Sequence, residues 1–242
     1  MKLIKLDAID STNEFLKGLS SKQSIENFTV VTAENQTNGK GQMGAVWNSE
    51  PSKNLIMSVF VDNFFTNNNQ VFDINIVVTL AIIQALEILK IPELSIKWPN
   101  DIMSYNKKIG GVLIENTFKS NGTINSIIGL GLNVNQMDFE NLPKASSIAV
   151  ICKTTFDKQE VLFMIVEKIE QNSSLWSKNS EAMRTSFTNR LFKKGIPMPC
   201  SDQNNKKFMG IIQGVSDIGK LEVLLEDNSV SEYEIKEIQM LY

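Results

Sequence analysis

"KWPNDIMSYNKKIGGVLIEN" (residues 97–116) crowds lysines, a carboxamide, a carboxylate and a Gly-Gly pair between two strand-like runs. The first run, "LSIKW" (94–98), must end at Pro99, which has no N–H to give to a ladder and a fixed φ. The second, "KIGGVLIEN" (108–116), opens on the pair Lys107-Lys108. Asn100 and Asp101 are left projecting at a strand end, the part of an α/β sheet where ligands usually sit. Two readings stand at this point. The stretch is either an Asn-Asp turn that satisfies its own backbone beside a solvated lysine pair, or one wall of a crevice that gathers cations, an amide and a carboxylate.

Working outward, "INSIIGLGLNV" (124–134) reads as the next strand, and Gly129 and Gly131 mark close approach to its backbone. "FTVVTAE" (28–34) and "NLIMSVFV" (54–61) are β-branched and strand-like. "VFDINIVVTLAIIQALEILK" (71–90) is apolar almost all round, as a helix buried against a sheet would be. "DKQEVLFMIVEKIEQNSSLW" (157–176) predicts an amphipathic helix, with another about 179–190. "DSTNEFLKGL" (10–19) predicts a short helix capped by Ser11 or Thr12, and Ser11-x-x-Glu14 has capping-box spacing. "NQTNGKGQMGAVWNSEPSKN" (35–54) is a loop in which Gly39, Gly41 and Gly44 let the backbone near a ligand and Lys40 brings charge. Its spacing is neither the dinucleotide fingerprint nor the P-loop. Trp47 beyond it reads as a core anchor or as a lid over a ligand. "TNNNQ" (66–70) reads as an exposed loop. After "KKGIPMPC" the texture changes to short strands and close turns, with Leu221, Val223 and Leu225 alternating and a hairpin turn at Asp227-Asn228. These runs predict a mixed α/β domain over 1–188 and a small β-barrel over 189–242.

Composition narrows the chemistry. The 242 residues are 42% hydrophobic with net charge −3, so there is no basic footprint for nucleic acid. Cys152 and Cys200 form no disulfide framework, and no histidine with two cysteines argues against a structural zinc site. Charge enters the N-terminal apolar run too early for a secretory signal, and no run approaches ~18 consecutive apolar residues, which predicts a cytoplasmic protein off the membrane. Arginine occurs only at Arg184 and Arg190. Any phosphate handled earlier in the chain therefore meets lysine as a point charge, without arginine's bidentate fork.

"STN" (11–13), "Q..GKGQMG..W" (36–47), "KWPND" (97–101), "KKIGGVLIE" (107–115) and "IGLGLNVN" (128–135) together resemble the ordered signatures of biotin protein ligases, over essentially the whole chain. The resemblance implies an α+β catalytic domain, a mixed β-sheet with packed helices of the class II aminoacyl-tRNA synthetase-like type, and a small C-terminal SH3-like β-barrel. It implies that ATP and biotin are joined as biotinyl-adenylate with release of pyrophosphate, and that biotin then passes to a lysine of a biotin carboxyl carrier domain. Lys108 aligns with the essential lysine, reaching both the biotin carboxylate and the α-phosphate. Mg²⁺ would neutralise the phosphates, with Asp101 organising that metal or the incoming amine. Biotin contacts fall on Ser11, Thr12, Asn13 and Gln36 at its bicyclic head, on Gly39, Lys40, Gly41 and Gln42 over its tail, and on Gly111 and Gly129, which leave room for it. Nucleotide contacts fall on Trp47, Lys97, Asn100 and Asn133, and Lys40 joins Lys108 and Asp101 among the catalytic candidates. The loop departs from the usual Gly-Arg-Gly-Arg, reading Gly-Lys-Gly-Gln, so Gln42 lacks the charge that helps retain the adenylate. A lipoate or octanoate ligase shares the fold but needs an arginine-serine-glycine-rich loop that is absent here. The repressor form needs a preceding helix-turn-helix, and ten residues precede "STNEF". The expectation is the monofunctional form with no DNA partner, as monomer or homodimer.

Overall fold

The glycine run of residues 128–131 becomes the middle of the molecule. In the computed structural model, which describes residues 1–62, 64, 71–119, 124–140 and 142–242, strand β7 (Ile124–Leu132) lies between β3 (Leu55–Asp62) and β6 (Lys107–Phe118). A seven-stranded sheet grows outward from it in the order β1-β2-β3-β7-β6-β5-β4, adding β1 (Leu3–Ile9), β2 (Val30–Gln36), β4 (Leu94–Lys97) and β5 (Asp101–Ser104). Among the described strands of this sheet β1 and β2 pair in parallel and the remaining neighbours are antiparallel, so the sheet is mixed. The register places Gly111 of β6 opposite Gly131 of β7 and opposite Asp101 of β5. That row of small residues is where the sheet surface stays open.

One face of the sheet is sealed by α2 (Val71–Ile88) and, after the short α3 (Ile148–Cys152), by α4 (Lys158–Asn189), α2 and α4 packing together over a core that includes Val59, Val77, Leu80, Ile96, Leu130 and Ile165. The hydropathy of α2 averages 1.9, high enough and long enough to cross a membrane, yet the helix is a core element with 67% of that window buried in the fold. On the other face α1 (Thr12–Lys22) covers a smaller cluster of Leu16, Val31, Phe60 and Ile127. Ser11 is the N-cap and accepts from the Glu14 N–H at 3.4 Å. The reciprocal half of the predicted capping box is missing, because the Glu14 carboxylate turns instead to Lys40.

A second sheet of five antiparallel strands follows α4: β8 (Pro197–Asp202), β9 (Lys207–Val215), β10 (Leu221–Leu224), β11 (Val230–Tyr233) and β12 (Ile238–Met240), in the order β11-β10-β9-β8-β12. Met198, Ile212, Leu221 and Val223 join the main core, so the two sheets share one apolar interior. Polar contacts fix the junction. Trp98 Nε1 donates to the Gly219 carbonyl at 2.8 Å, and Arg184 on α4 pairs with Asp73 on α2 and, at 3.5 Å, with Asp217. Burial pushes the Asp73 carboxyl up to about 6, with Arg184 pulling the other way and Asp217 adding to the rise.

The structure corrects three sequence expectations. The two helices predicted at 157–176 and 179–190 are one, α4, interrupted at Asn179, whose φ of −130° leaves the helical region. Asp101 starts a short strand rather than completing a turn. β1, half-buried and interspersed with Lys5 and Asp7, has no counterpart in the sequence pattern. The 66–70 stretch lies outside the described residues.

Candidate active site

A cleft of about 270 Å³ opens on the sheet beneath the N-terminus of α1 and the glycine-rich loop. It brings together Ser11, Thr12, Asn13, Gln36, Lys40, Gly41, Gln42, Trp47, Asn100, Asp101, Lys108, Gly111 and Gly129, residues that lie far apart along the chain.

One end is a hydrogen-bond network of uncharged side chains anchored from behind on the Glu115 carboxylate. Gln36 Oε1 accepts from the Thr12 N–H at 2.8 Å and from Thr12 Oγ1 at 3.1 Å. Ser58, fully buried in the middle of β3, donates to Thr12 Oγ1 at 2.8 Å or Asn13 Oδ1 at 2.6 Å, and Asn13 Nδ2 donates to Glu115 Oε2 at 2.8 Å. These side chains have fixed rotamers before any ligand arrives, which lowers the ordering cost of recognising a polar, uncharged group. Gly129 lies under Asn13, where a Cβ would collide with its amide oxygen.

The other end is charged. Lys108 Nζ sits 2.6 Å from Asp101 Oδ1, and Lys97 Nζ reaches Asp101 Oδ2 at 3.6 Å, so one carboxylate holds two ammonium groups. The Trp47 ring lies 5.7 Å from the Lys108 ammonium and packs on Gly131, whose missing Cβ makes room for the indole. Trp47 Nε1 is buried with no hydrogen-bond partner among the described residues. Asn100 bridges to β6, its Nδ2 donating to the Val112 carbonyl at 2.5 Å. Among the described residues no group of three or more acidic, cysteine or histidine side chains could hold a metal ion, and Asp101 is already engaged by two lysines. That donor set does not suit a resident Mg²⁺; it organises lysines.

The glycine-rich loop arches over the cleft. Gly41 N and Trp47 N close it through bonds to Ala45 O at 2.7 Å and Gly39 O at 2.9 Å. Lys40 pairs with Glu14 at 2.7 Å, which raises the lysine pKa and lowers that of Glu14. From the second sheet, Lys236 Nζ donates to the Met43 carbonyl at 3.2 Å.

Three predicted site residues lie off the cleft wall. Gly39 supports it, pressed against the Trp47 carbonyl and Gln36. Lys97 points into a neighbouring cavity. Asn133 is buried, donating to the Ser146 carbonyl at 3.0 Å. Sequence reasoning missed Ser58, Ile235 and Lys236, and it marked Gly131 as a close approach to the strand without assigning it to a ligand. Ser58 carried a signal, a lone hydroxyl within a wholly apolar strand; Ile235 and Lys236 carried none, because the second sheet delivers them from the far end of the chain.

Residues 6–133 match the model of the Biotin/lipoate A/B protein ligase family, more than half the chain, and the protein belongs to that family. The chain is 31% identical over 166 residues to the bifunctional ligase/repressor BirA of Bacillus subtilis, covering 66% of this chain and 50% of that protein, and so spans about half the length of that curated relative. It is 23% identical over 214 residues to the biotin--[acetyl-CoA-carboxylase] ligase of Mycobacterium tuberculosis, covering 87% and 79%. The structure matches that of a biotin protein ligase from Aquifex aeolicus in complex with biotin and ATP, with a TM-score of 0.81 and 27% identity over 99% of this chain and 98% of that one.

Proposed function

We propose that the chain is an ATP-dependent biotin protein ligase. The observation that carries this reading is the division of one cleft into a neutral hydrogen-bonding end, Thr12, Asn13, Gln36 and Ser58, and a lysine-lined end at Lys108. Biotin has the same two-part character, a neutral ureido ring and a carboxylate joined by an apolar tail. The names of the relatives, and the biotin and ATP in the Aquifex aeolicus complex, favour biotin over lipoate.

The first step must bring two anions together. At ~4 Å and an effective dielectric near 20, each pair of unit charges repels by about 4 kcal/mol. A fixed ammonium offsets that cost without reorganising during the reaction, and Lys108 is held for this by Asp101. A carboxylate oxygen of biotin forms a bond to the α-phosphorus, and the bond from that phosphorus to the bridging oxygen breaks, its electron pair leaving on pyrophosphate. No proton moves. Any Mg²⁺ arrives with the nucleotide as part of the substrate. In the second step the neutral amine of a carrier-domain lysine attacks the acyl carbon, the bond from that carbon to the AMP oxygen breaks with its electron pair leaving on AMP, and the nitrogen gives its proton to solvent water. Asp101 at the cleft edge is the group that would orient that amine. The orphan Trp47 N–H and the sheltering loop support a ligand lying between them.

We read the second sheet as an SH3-like barrel over about 189–242, and the free thiols and the need for ATP support a cytoplasmic setting. The test is transfer of labelled biotin to a purified biotin carboxyl carrier domain with lipoate as competitor. Incorporation of biotin unaffected by lipoate supports the reading; incorporation of lipoate alone overturns it.

A further inference from the structure

Behind the uncharged end of the cleft stands one carboxylate. Glu115, on β6, accepts from Asn13 Nδ2 through Oε2 at 2.8 Å and pairs with Lys17 of α1 through Oε1 at 3.6 Å. Glu115 and Ser58 do not line the cleft; they sit one layer behind Thr12 and Asn13, which do. The set is held still. Thr12, Asn13 and Ser58 are all buried, and Gly129 presses under the Asn13 amide, leaving no space for it to swing aside.

The protons of this wall can be followed one by one. A carboxylate only accepts hydrogen bonds, so the Asn13 amide must turn its NH2 toward Glu115. The same nitrogen leans toward the Leu113 carbonyl at 3.5 Å, also an acceptor. Asn13 Oδ1 is left facing Ser58 Oγ at 2.6 Å, and an amide oxygen has no proton to give, so the Ser58 hydroxyl donates to it. Ser58 therefore meets Thr12 Oγ1, 2.8 Å away, as an acceptor. The other neighbour of that hydroxyl, Gln36 Oε1 at 3.1 Å, is an acceptor too and already takes the Thr12 N–H. The single Thr12 hydroxyl proton is spent inside the wall, whichever neighbour receives it. Sending it into the cleft would leave two oxygens 2.8 Å apart with no proton between them. What Thr12 shows the cleft is a lone pair.

We infer that Glu115 is a positioning residue that sets ligand specificity: acting through Asn13 and Ser58, it fixes Thr12 as an acceptor, so that this end of the cleft selects a ring carrying an N–H. The inference rests on the biotin reading above and adds to it which group Thr12 reads, a ureido N–H. Oxygen in that place sets lone pair against lone pair, and a dithiolane ring, with no donor, leaves Thr12 unmatched. Glu115→Gln removes the rule. Glutamine has one oxygen for two donors, Lys17 and Asn13. With that oxygen on Lys17, its NH2 faces Asn13, the Asn13 amide turns over, Ser58 donates to Thr12, and the Thr12 proton is released toward the cleft.

The experiment measures calorimetric binding to the full chain of biotin and of the two cyclic carbamates in which oxygen replaces one ring N–H, alongside transfer of labelled biotin to a carrier domain. The wild type should prefer biotin to one of the carbamates by on the order of 10²-fold or more, because a site built around a donor penalises its loss. Glu115→Gln should narrow that preference about tenfold. Ser58→Ala cuts the same link without touching a charge and should narrow it likewise. Adding Glu115→Gln to Ser58→Ala should then change nothing further, since the first acts through the second. A general loosening of the wall would instead weaken all three ligands alike. That result, a preference unchanged in both variants, or a wild type that binds the three ligands equally or not at all overturns the inference. If Glu115→Gln does not fold, Ser58→Ala decides alone. A wild type that binds biotin selectively yet transfers none ends the ligase reading, and the binding preferences still decide the role of Glu115.

Discussion

Lys108 and Asp101 show how much one contact can organise. A lysine on a strand edge is ordinarily a solvated charge, but at 2.6 Å from a mostly buried carboxylate its ammonium has a fixed position. Truncating it removes the cation that faces the reacting anions, so Lys108→Ala should lower biotin-dependent pyrophosphate–ATP exchange by roughly 10²–10³-fold, the scale seen when one preorganised donor is deleted. Exchange that survives this change would remove Lys108 from the reaction. Gln42 makes the opposite kind of prediction. It lines the cleft without a charge, so Gln42→Arg should slow release of the activated intermediate, measured by trapping free adenylate after rapid mixing; equal release rates would dispose of the idea. These residues were legible because each stands in a compact motif. Ser58 was harder to find because its role arises only when β3 slides under α1, a contact that no local pattern encodes.

Among the elements, those with a continuous apolar run or a clear alternation could be read directly: α2 and β3 by the first, and the strand of Leu221 and Val223 by the second. β1 and β5 could not, since both are short or half-polar and owe their strand character to neighbours that supply the ladder. The α2–α4 pair carries a pH signature. Asp73 is buried beside Arg184, and its carboxyl is raised to about 6 chiefly by loss of solvent. A raised folded-state value means that the native protein binds the proton more tightly than the unfolded chain. Stability from this group is therefore fully present below about pH 4 and is lost as pH rises through about 6. Removing the titration with Asp73→Asn should flatten that trend. Relative to the variant, the wild type should lose on the order of 2 kcal/mol between those limits. Urea midpoints across pH 4–7 check this, and parallel curves for the two proteins would refute it.

For the whole molecule, the question is why the second sheet is attached where it is. Its β9–β10 turn carries the Gly219 carbonyl that receives Trp98 Nε1, only a few residues before Asn100 and Asp101. The two sheets are thus joined at the base of the site, and neither the spacing of the motifs nor the hairpin pattern revealed that join, because it links positions 121 residues apart. Trp98→Phe keeps the packing but strands a carbonyl, so it should cost about 1 kcal/mol of stability and lower kcat for exchange more than it changes the biotin KM. A variant with wild-type kcat would confine that bond to a purely structural role.

Trp47 has a use of another sort. Of the indoles, Trp98 and Trp176 are enclosed in the core, while Trp47 stands at the mouth of the cleft with an ammonium beside its ring and its N–H unclaimed. The molecule therefore contains its own optical probe. Emission excited at the tryptophan band should change when biotin and nucleotide enter, and Trp47→Phe should abolish the change while leaving the signal of the enclosed pair, so occupancy can be followed in real time without attaching a dye.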